Sequence, residues 1–262
     1  MKTYRYLLLL MAIAVCLNSC KKSSTTGGGL KPPTTKLKYL VQATVVTTGP
    51  AILGSPVTTS FTYYTYDSKK RLNTVKNGND LTTYAYQDDG NIYSITDVNT
   101  VDKYRTSEIF SYDGGKLKSY TSQEYSNDVL KNETTYTYVY NGDKVSELHF
   151  DIYYLLYTYD SNGNLTKIFN HSGDINYSLV YTYDNKKSAF INVPVKFPMH
   201  GDNSRFSPNN QITSTTEGLN VNVLSTTTYN YDSDGYPIAG TTSNDYASSS
   251  SSKFTYTYST LE

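Results

Sequence analysis

Leu156-Tyr157-Thr158-Tyr159-Asp160-Ser161-Asn162-Gly163-Asn164-Leu165-Thr166-Lys167-Ile168 reads as strand, turn and strand, and this reading decides the fold. The period-2 alternation puts Tyr157 and Tyr159 on one face and Thr158 on the other. Asp160 opens and Gly163 closes a type I turn whose last residue can sit left-handed in a bulge. Looser copies run over Phe61 to Val75, Thr83 to Ile95, Ile109 to Tyr120 and Tyr136 to Leu148, and two more start at Tyr181 and Tyr229. A half-copy without a turn, Phe254-Thr255-Tyr256-Thr257-Tyr258, ends the chain. Repetition at this spacing means a stacked or meandering architecture.

Turn chemistry varies between copies. Asp232-Ser233-Asp234-Gly235 repeats the Asp-led form, Gln87-Asp88-Asp89-Gly90 weakens it, and Lys70 replaces the glycine after Asp67. Asp113-Gly114 and Asn141-Gly142 are dipeptides favoured by two-residue type I′ hairpins. Each copy is therefore a hairpin, and the chain is expected to be all-β. Consecutive hairpins give an antiparallel meander of roughly fourteen to sixteen strands, Lys36 to Thr48 included. So wide a sheet curls or closes. A strongly curled sheet or barrel-like shell is expected, with a two-sheet sandwich as the alternative. After each turn the apolar residues fall at i and i+3, as in Leu72 and Val75 or Leu165 and Ile168. In a flat strand these point to opposite faces. Either a bulge flips the parity or both sheet faces are partly covered.

The N-terminus reads as an export leader: Lys2 and Arg5 precede an apolar run, Leu7 to Val15, that is too short to span a bilayer. Leu17-Asn18-Ser19-Cys20 resembles the lipobox of bacterial lipoproteins, which implies lipidation at Cys20. Lys21 to Thr35, rich in Ser, Thr, Gly and Pro, reads as a tether reaching on the order of 20 Å. The chain thus divides into a leader over 1–19, a lipidated cysteine and tether over 20–35, and a repeat domain over 36–262. By the same resemblance, the absence of aspartate after Cys20 implies the outer membrane. The absence of an acidic run favours its periplasmic leaflet over the cell surface.

The Tyr-x-Tyr-Asp-x-x-Gly-Asn-Leu phrase resembles the YD repeats of the RHS family, whose hairpins wind into shells. The lipidated start, with Tyr183-Asp184-Asn185-Lys186-Lys187 leading through Phe190 to Ser207-Pro208-Asn209-Asn210, is similar to YD-repeat envelope lipoproteins of gut-type Gram-negative bacteria. The similarity covers most of residues 36–262 and speaks to fold rather than activity. The catalytic and toxin modules of large RHS proteins have no counterpart here.

The chain has 23 basic and 23 acidic residues, a balance with no electrostatic footprint for nucleic acid. The Asp160 turn echoes the opening of a calcium loop but lacks its closing glutamate, so it is read as turn chemistry. His149, His171 and His200 show no metal-ligand spacing, and no metal or cofactor is expected. No serine sits in a nucleophile elbow and no phosphate-cradling loop follows a strand, so no catalytic residue is assigned and the protein is not expected to be an enzyme. The tyrosine rows are read as packing, because they recur in every copy.

Between Tyr183 and Tyr229 the tyrosines stop, while Phe190, Phe197, Phe206, Pro194, Pro198 and Pro208 appear. That proline density excludes a central strand and marks a long loop near 188–210. The loop is expected to cap the open face of the sheet. The alternative is a ligand or partner surface carried by Phe190, Phe197, His200, Arg205 and Phe206. The function expected is a lipid-anchored envelope protein that binds a protein, peptide or glycan partner without chemistry of its own. Its alternative is a carrier holding an apolar small ligand inside the curled sheet.

Overall fold

The computed structural model describes residues 36–48, 57–173, 175–193, 197–199, 206–219, 223–245 and 250–261. Residues 1–35, with the leader, Cys20 and the tether, lie outside the described residues. So do His200 and Arg205.

The strands are β1 (Tyr39–Thr48), β2 (Thr58–Tyr66), β3 (Leu72–Asn77), β4 (Asp80–Tyr86), β5 (Ile92–Asn99) and β6 (Tyr104–Asp113). Next come β7 (Lys116–Ser126), β8 (Val129–Asn141), β9 (Lys144–Phe150), β10 (Tyr153–Tyr159) and β11 (Leu165–Ser172). The last five are β12 (Ile175–Lys187), β13 (Asn209–Glu217), β14 (Leu224–Tyr231), β15 (Pro237–Asn244) and β16 (Ser251–Ser259). Each pairs antiparallel with its sequence neighbours, and β16 pairs with β1 to close a barrel. Closure leaves no open sheet edge among the described strands, which sets the sandwich aside.

The closing pair also completes the repeat. The C-terminal half-copy supplies β16, and the first strand of the domain supplies its missing second half, with Leu40 opposite Tyr258. Between Tyr183 and Tyr231 there is one period: β12 and β13 form one hairpin, and the chain between Lys187 and Asn209 is inserted into its turn.

A bulge resolves the i, i+3 pattern. Tyr157 pairs with Ile168 and Thr158 with Lys167, but Tyr159 pairs with Leu165, leaving Thr166 as the extra residue. Parity flips there, so Leu165 and Ile168 both point inward with the two tyrosines. The same slip recurs beside Tyr66, Tyr86, Tyr112, Tyr140, Tyr183, Tyr231 and Tyr258. Leu72, Leu148, Leu165 and Ile168 are among the most deeply buried side chains.

The bulge disrupts the ladder, and tyrosine hydroxyls fill the gap. Tyr86 donates to the Leu72 carbonyl at 2.7 Å, Tyr112 to Ile92 at 3.0 Å, and Tyr140 to Leu117 at 2.8 Å. Tyr66, Tyr183 and Tyr258 do the same to Leu40, Leu165 and Pro237. Each of these hydroxyls reaches the neighbouring copy, so the second tyrosine stitches hairpin to hairpin around one rim. Burial pushes Tyr112 up to about 12, so it stays a neutral donor at physiological pH.

The turns between the copies' strands differ in one detail from the expectation. Asp113 pairs with Lys116 and Asn141 with Lys144, so the two-residue loops are Gly114-Gly115 and Gly142-Asp143, one residue later than the dipeptides suggested. Gly114 and Gly115 both have positive φ, as type I′ requires; Gly142 alone does in its turn, the pattern of type II′. The Asp-led turns form as expected: the Gly163 N–H donates to the Asp160 carbonyl at 3.1 Å, with Gly163 at φ 89°. The Asp160 carboxylate accepts from the backbone N–H groups of Asn162 and Asn164. Burial works to raise its pKa, but these bonds and the Asn164 side chain outweigh it and hold the carboxyl below its ordinary value.

Lys70 occupies the equivalent of Gly163 at φ 62°. Lys70→Gly is therefore expected to raise stability by about 1 kcal/mol in urea denaturation, and Gly163→Val to lower it by about 1 to 2 kcal/mol. Nothing lies within 4 Å of a Cβ built on Gly163, so backbone strain alone sets that cost.

The outer face of the wall carries many polar side chains. Outward positions carry threonine pairs such as Thr65–Thr74, Thr121–Thr135 and Thr182–Thr213, whose hydroxyls lie 2.6–3.1 Å apart. Charged residues join them: Gln123 donates to Glu133 at 2.7 Å, and Lys167 lies 3.9 Å from Glu217. Outward apolar residues alternate with polar ones in places, Tyr63 between Gln42 and Lys76, while Leu156 lies between Glu147 and Phe169. A membrane-spanning barrel shows the reverse alternation, with an apolar outer band.

Candidate functional site

The described parts of the inserted segment, 188–193, 197–199 and 206–208, pack against the inward side chains at the tyrosine rim and form a plug there. Phe190 meets Tyr64 on β2 edge-on at 6.3 Å between ring centroids, and Phe197 lies 5.3 Å from Phe110 on β6. The buried Tyr138 hydroxyl donates to the Pro198 carbonyl at 2.8 Å. At its ends, Asn192 donates to the Lys38 carbonyl, and the Ser207 hydroxyl accepts the Leu165 N–H. Asn164, fully buried, exchanges hydrogen bonds with Asn209 at 3.0 Å in both directions. The plug is thus tied to the residue before β1, to β8 and to β11, and the Asp160 turn is tied to the start of β13 beside it.

A cleft of about 450 Å³ remains between one flank of the plug and the rim. Tyr86, Tyr112, Tyr140 and Tyr159 form its wall, and Phe197 and Phe206 face them from the plug. Lys116 and Lys144 stand at the mouth, their ammonium groups 5.4 Å and 5.2 Å from the ring centroids of Tyr140 and Tyr159. On the plug's other flank, a space of about 300 Å³ is lined by Ala189, Phe190, Tyr229 and Tyr256. Of the residues singled out in the sequence, Phe197 and Phe206 therefore share the larger cleft, and Phe190 lines the smaller one.

Two features escaped sequence reasoning. Below the plug, Asp97, Thr106 and Glu124 form an inward row across β5, β6 and β7, with Glu108 one inward step above Thr106. Burial, reinforced by Asp97, pushes the Glu108 carboxyl up to about 7. A folded-state value above the unfolded one favours the protonated folded form, so this group's stabilising contribution is lost as pH rises from about 4.5 to about 7. Urea denaturation across that window is expected to show falling stability, with a shallower fall in Glu108→Gln.

The second feature lies on the outer wall, where His149, Tyr154 and His171 fall in register on β9, β10 and β11. The rings stack at 5.7 Å and 4.6 Å; His149 bonds Glu147 at 2.6 Å, and His171 bonds Asn176 at 2.7 Å. Only pairing of separate strands brings the histidines together, so spacing could not reveal it. No group of three or more His, Cys, Asp or Glu side chains placed to hold a metal occurs among the described residues.

No protein-family model matches the chain, and no curated protein matches it. Among solved structures, it is similar to a porin-like protein from Bacteroides uniformis, with 16% identity and a TM-score of 0.55. That match covers 84% of this chain and 98% of the other. A porin-like protein from Bacteroides vulgatus aligns at 13% identity and a TM-score of 0.44, covering 86% of this chain and all of its own. The first likeness shows a shared β-barrel fold.

Proposed function

We propose that the protein is a lipid-anchored envelope protein of the outer membrane, held at the periplasmic leaflet through Cys20, whose plugged barrel is a non-catalytic binding module. The observation that carries the binding role is the cleft between plug and rim. Its volume falls in the range of ligand sites, and its walls are aromatic. The hydroxyls of Tyr86, Tyr112 and Tyr140 are already donated to backbone carbonyls. The rings are thus presented for contact and not for proton transfer. A polar outer wall suits a barrel that stands on its anchor and does not span the bilayer.

Two experiments test the parts separately. Cys20→Ala should leave the protein unprocessed or released from membranes; a processed, membrane-bound variant would contradict the anchor. Benzoylphenylalanine at position 206, irradiated in intact cells, should cross-link to an envelope component that the same group at outward position 158 does not capture. Identical capture from both positions, or none from 206, would remove the binding role.

The smaller space beside Phe190 favours a second reading, a carrier of an apolar ligand inside the barrel. In that case native mass spectrometry should detect a co-purifying small molecule that Ala189→Phe excludes.

A further inference from the structure

Charge at the mouth of the cleft narrows what can enter it. Resting on the reading of the cleft as a binding site, we propose that it takes an amphipathic anion: an apolar or aromatic body between the tyrosine wall and the plug, with one carboxylate or sulfonate head held by Lys116 and Lys144. Both lysines come from successive rim turns, and both are folded back over rings that line the cleft. Lys116 donates to the Gly142 carbonyl at 2.7 Å and lies 3.1 Å from Asp143. The Asp143 side chain also lines the mouth, but it is 98% exposed and screens its partner weakly. Lys144 donates to a backbone carbonyl, that of Asp160, at 3.3 Å. Among the described residues, the mouth therefore presents two cations against one solvated carboxylate. Arg71 differs: it lies over Tyr86 but is ion-paired with Asp67 at 2.7 Å.

The interior argues against other classes. A cation would meet the lysines. A sugar would seek hydroxyl partners, yet three of the four wall tyrosines have already donated theirs to carbonyls. An apolar body needs no such partners and gains by leaving water.

The test uses residues 21–262, the whole chain after the lipid-bearing cysteine, so that no detergent competes. Fluorescence titration compares 8-anilinonaphthalene-1-sulfonate with its uncharged analogue N-phenyl-1-naphthylamine. The anion should bind about tenfold more tightly, and Lys116→Gln with Lys144→Gln should bring the two probes to equal affinity. Dodecanoate or 1-naphthoate should then displace the anionic probe, the stronger competitor telling an acyl from an aromatic source. Equal affinities in the parent protein would overturn the anionic head while leaving the cleft as a site. Failure of both probes to bind, or binding of both unchanged in a Phe206→Trp variant that melts with the parent, would overturn the cleft reading itself.

Discussion

Gly240→Ala is expected to lower stability by about 3 kcal/mol, the upper part of the overpacking range, measured as a shift in the urea midpoint at unchanged slope. Gly240 sits at an inward position of β15, opposite Tyr229 on one side and Phe254 on the other. Those two rings close over it, with centroids 5.4 Å apart. An added Cβ would fall 2.2 Å from the Phe254 ring and 2.3 Å from the Thr228 carbonyl oxygen. The ring can rotate, but the carbonyl belongs to the wall and cannot. The glycine is required by close approach, since its φ lies outside the left-handed region. If Gly240→Ala melts with the parent, the closure of the wall around β14 to β16 is wrong.

Phe197→Ala should cost about 3 kcal/mol, the loss of a ring that packs on Phe110 inside the barrel. The neighbouring Pro198 carbonyl accepts from Tyr138, so truncation also loosens a buried hydrogen bond. A variant as stable as the parent would show that Phe197 does not pack inside the barrel. Phe190 and Phe197, expected from the sequence to cap the open face of the sheet, pack against the rings of Tyr64 and Phe110.

Much of this fold was legible because it is written locally. Tyr157, Thr158 and Tyr159 state their faces by alternation, and Asp160 and Gly163 state their turn by chemistry. The proline-rich interruption marked its own limits to within a few residues. Closure was less legible: β1 and β16 meet across nearly the whole chain, and alternation constrains only neighbours. The bulge was visible as a parity conflict at Leu165 and Ile168, but a skipped residue and a doubly covered sheet leave the same local trace. The site was legible only in part. Phe197 and Phe206 were found as departures from the repeat, whereas the rim residues of the cleft, Lys116, Lys144 and four tyrosines, are ordinary members of it. Their role comes from facing the plug, which only the three-dimensional arrangement decides.

The proposed binding role requires a barrel with a packed interior and a wall exposed to water. Thr158, outward and exposed on β10 beside Lys167, reports on that wall directly. In isolated membranes without detergent, Thr158→Cys in the full chain should react rapidly with a bulky, membrane-impermeant maleimide, well above the parent protein's background. Labelling that appears only after the membranes are dissolved would place this wall in lipid and contradict the assignment of the barrel as a water-facing binding module.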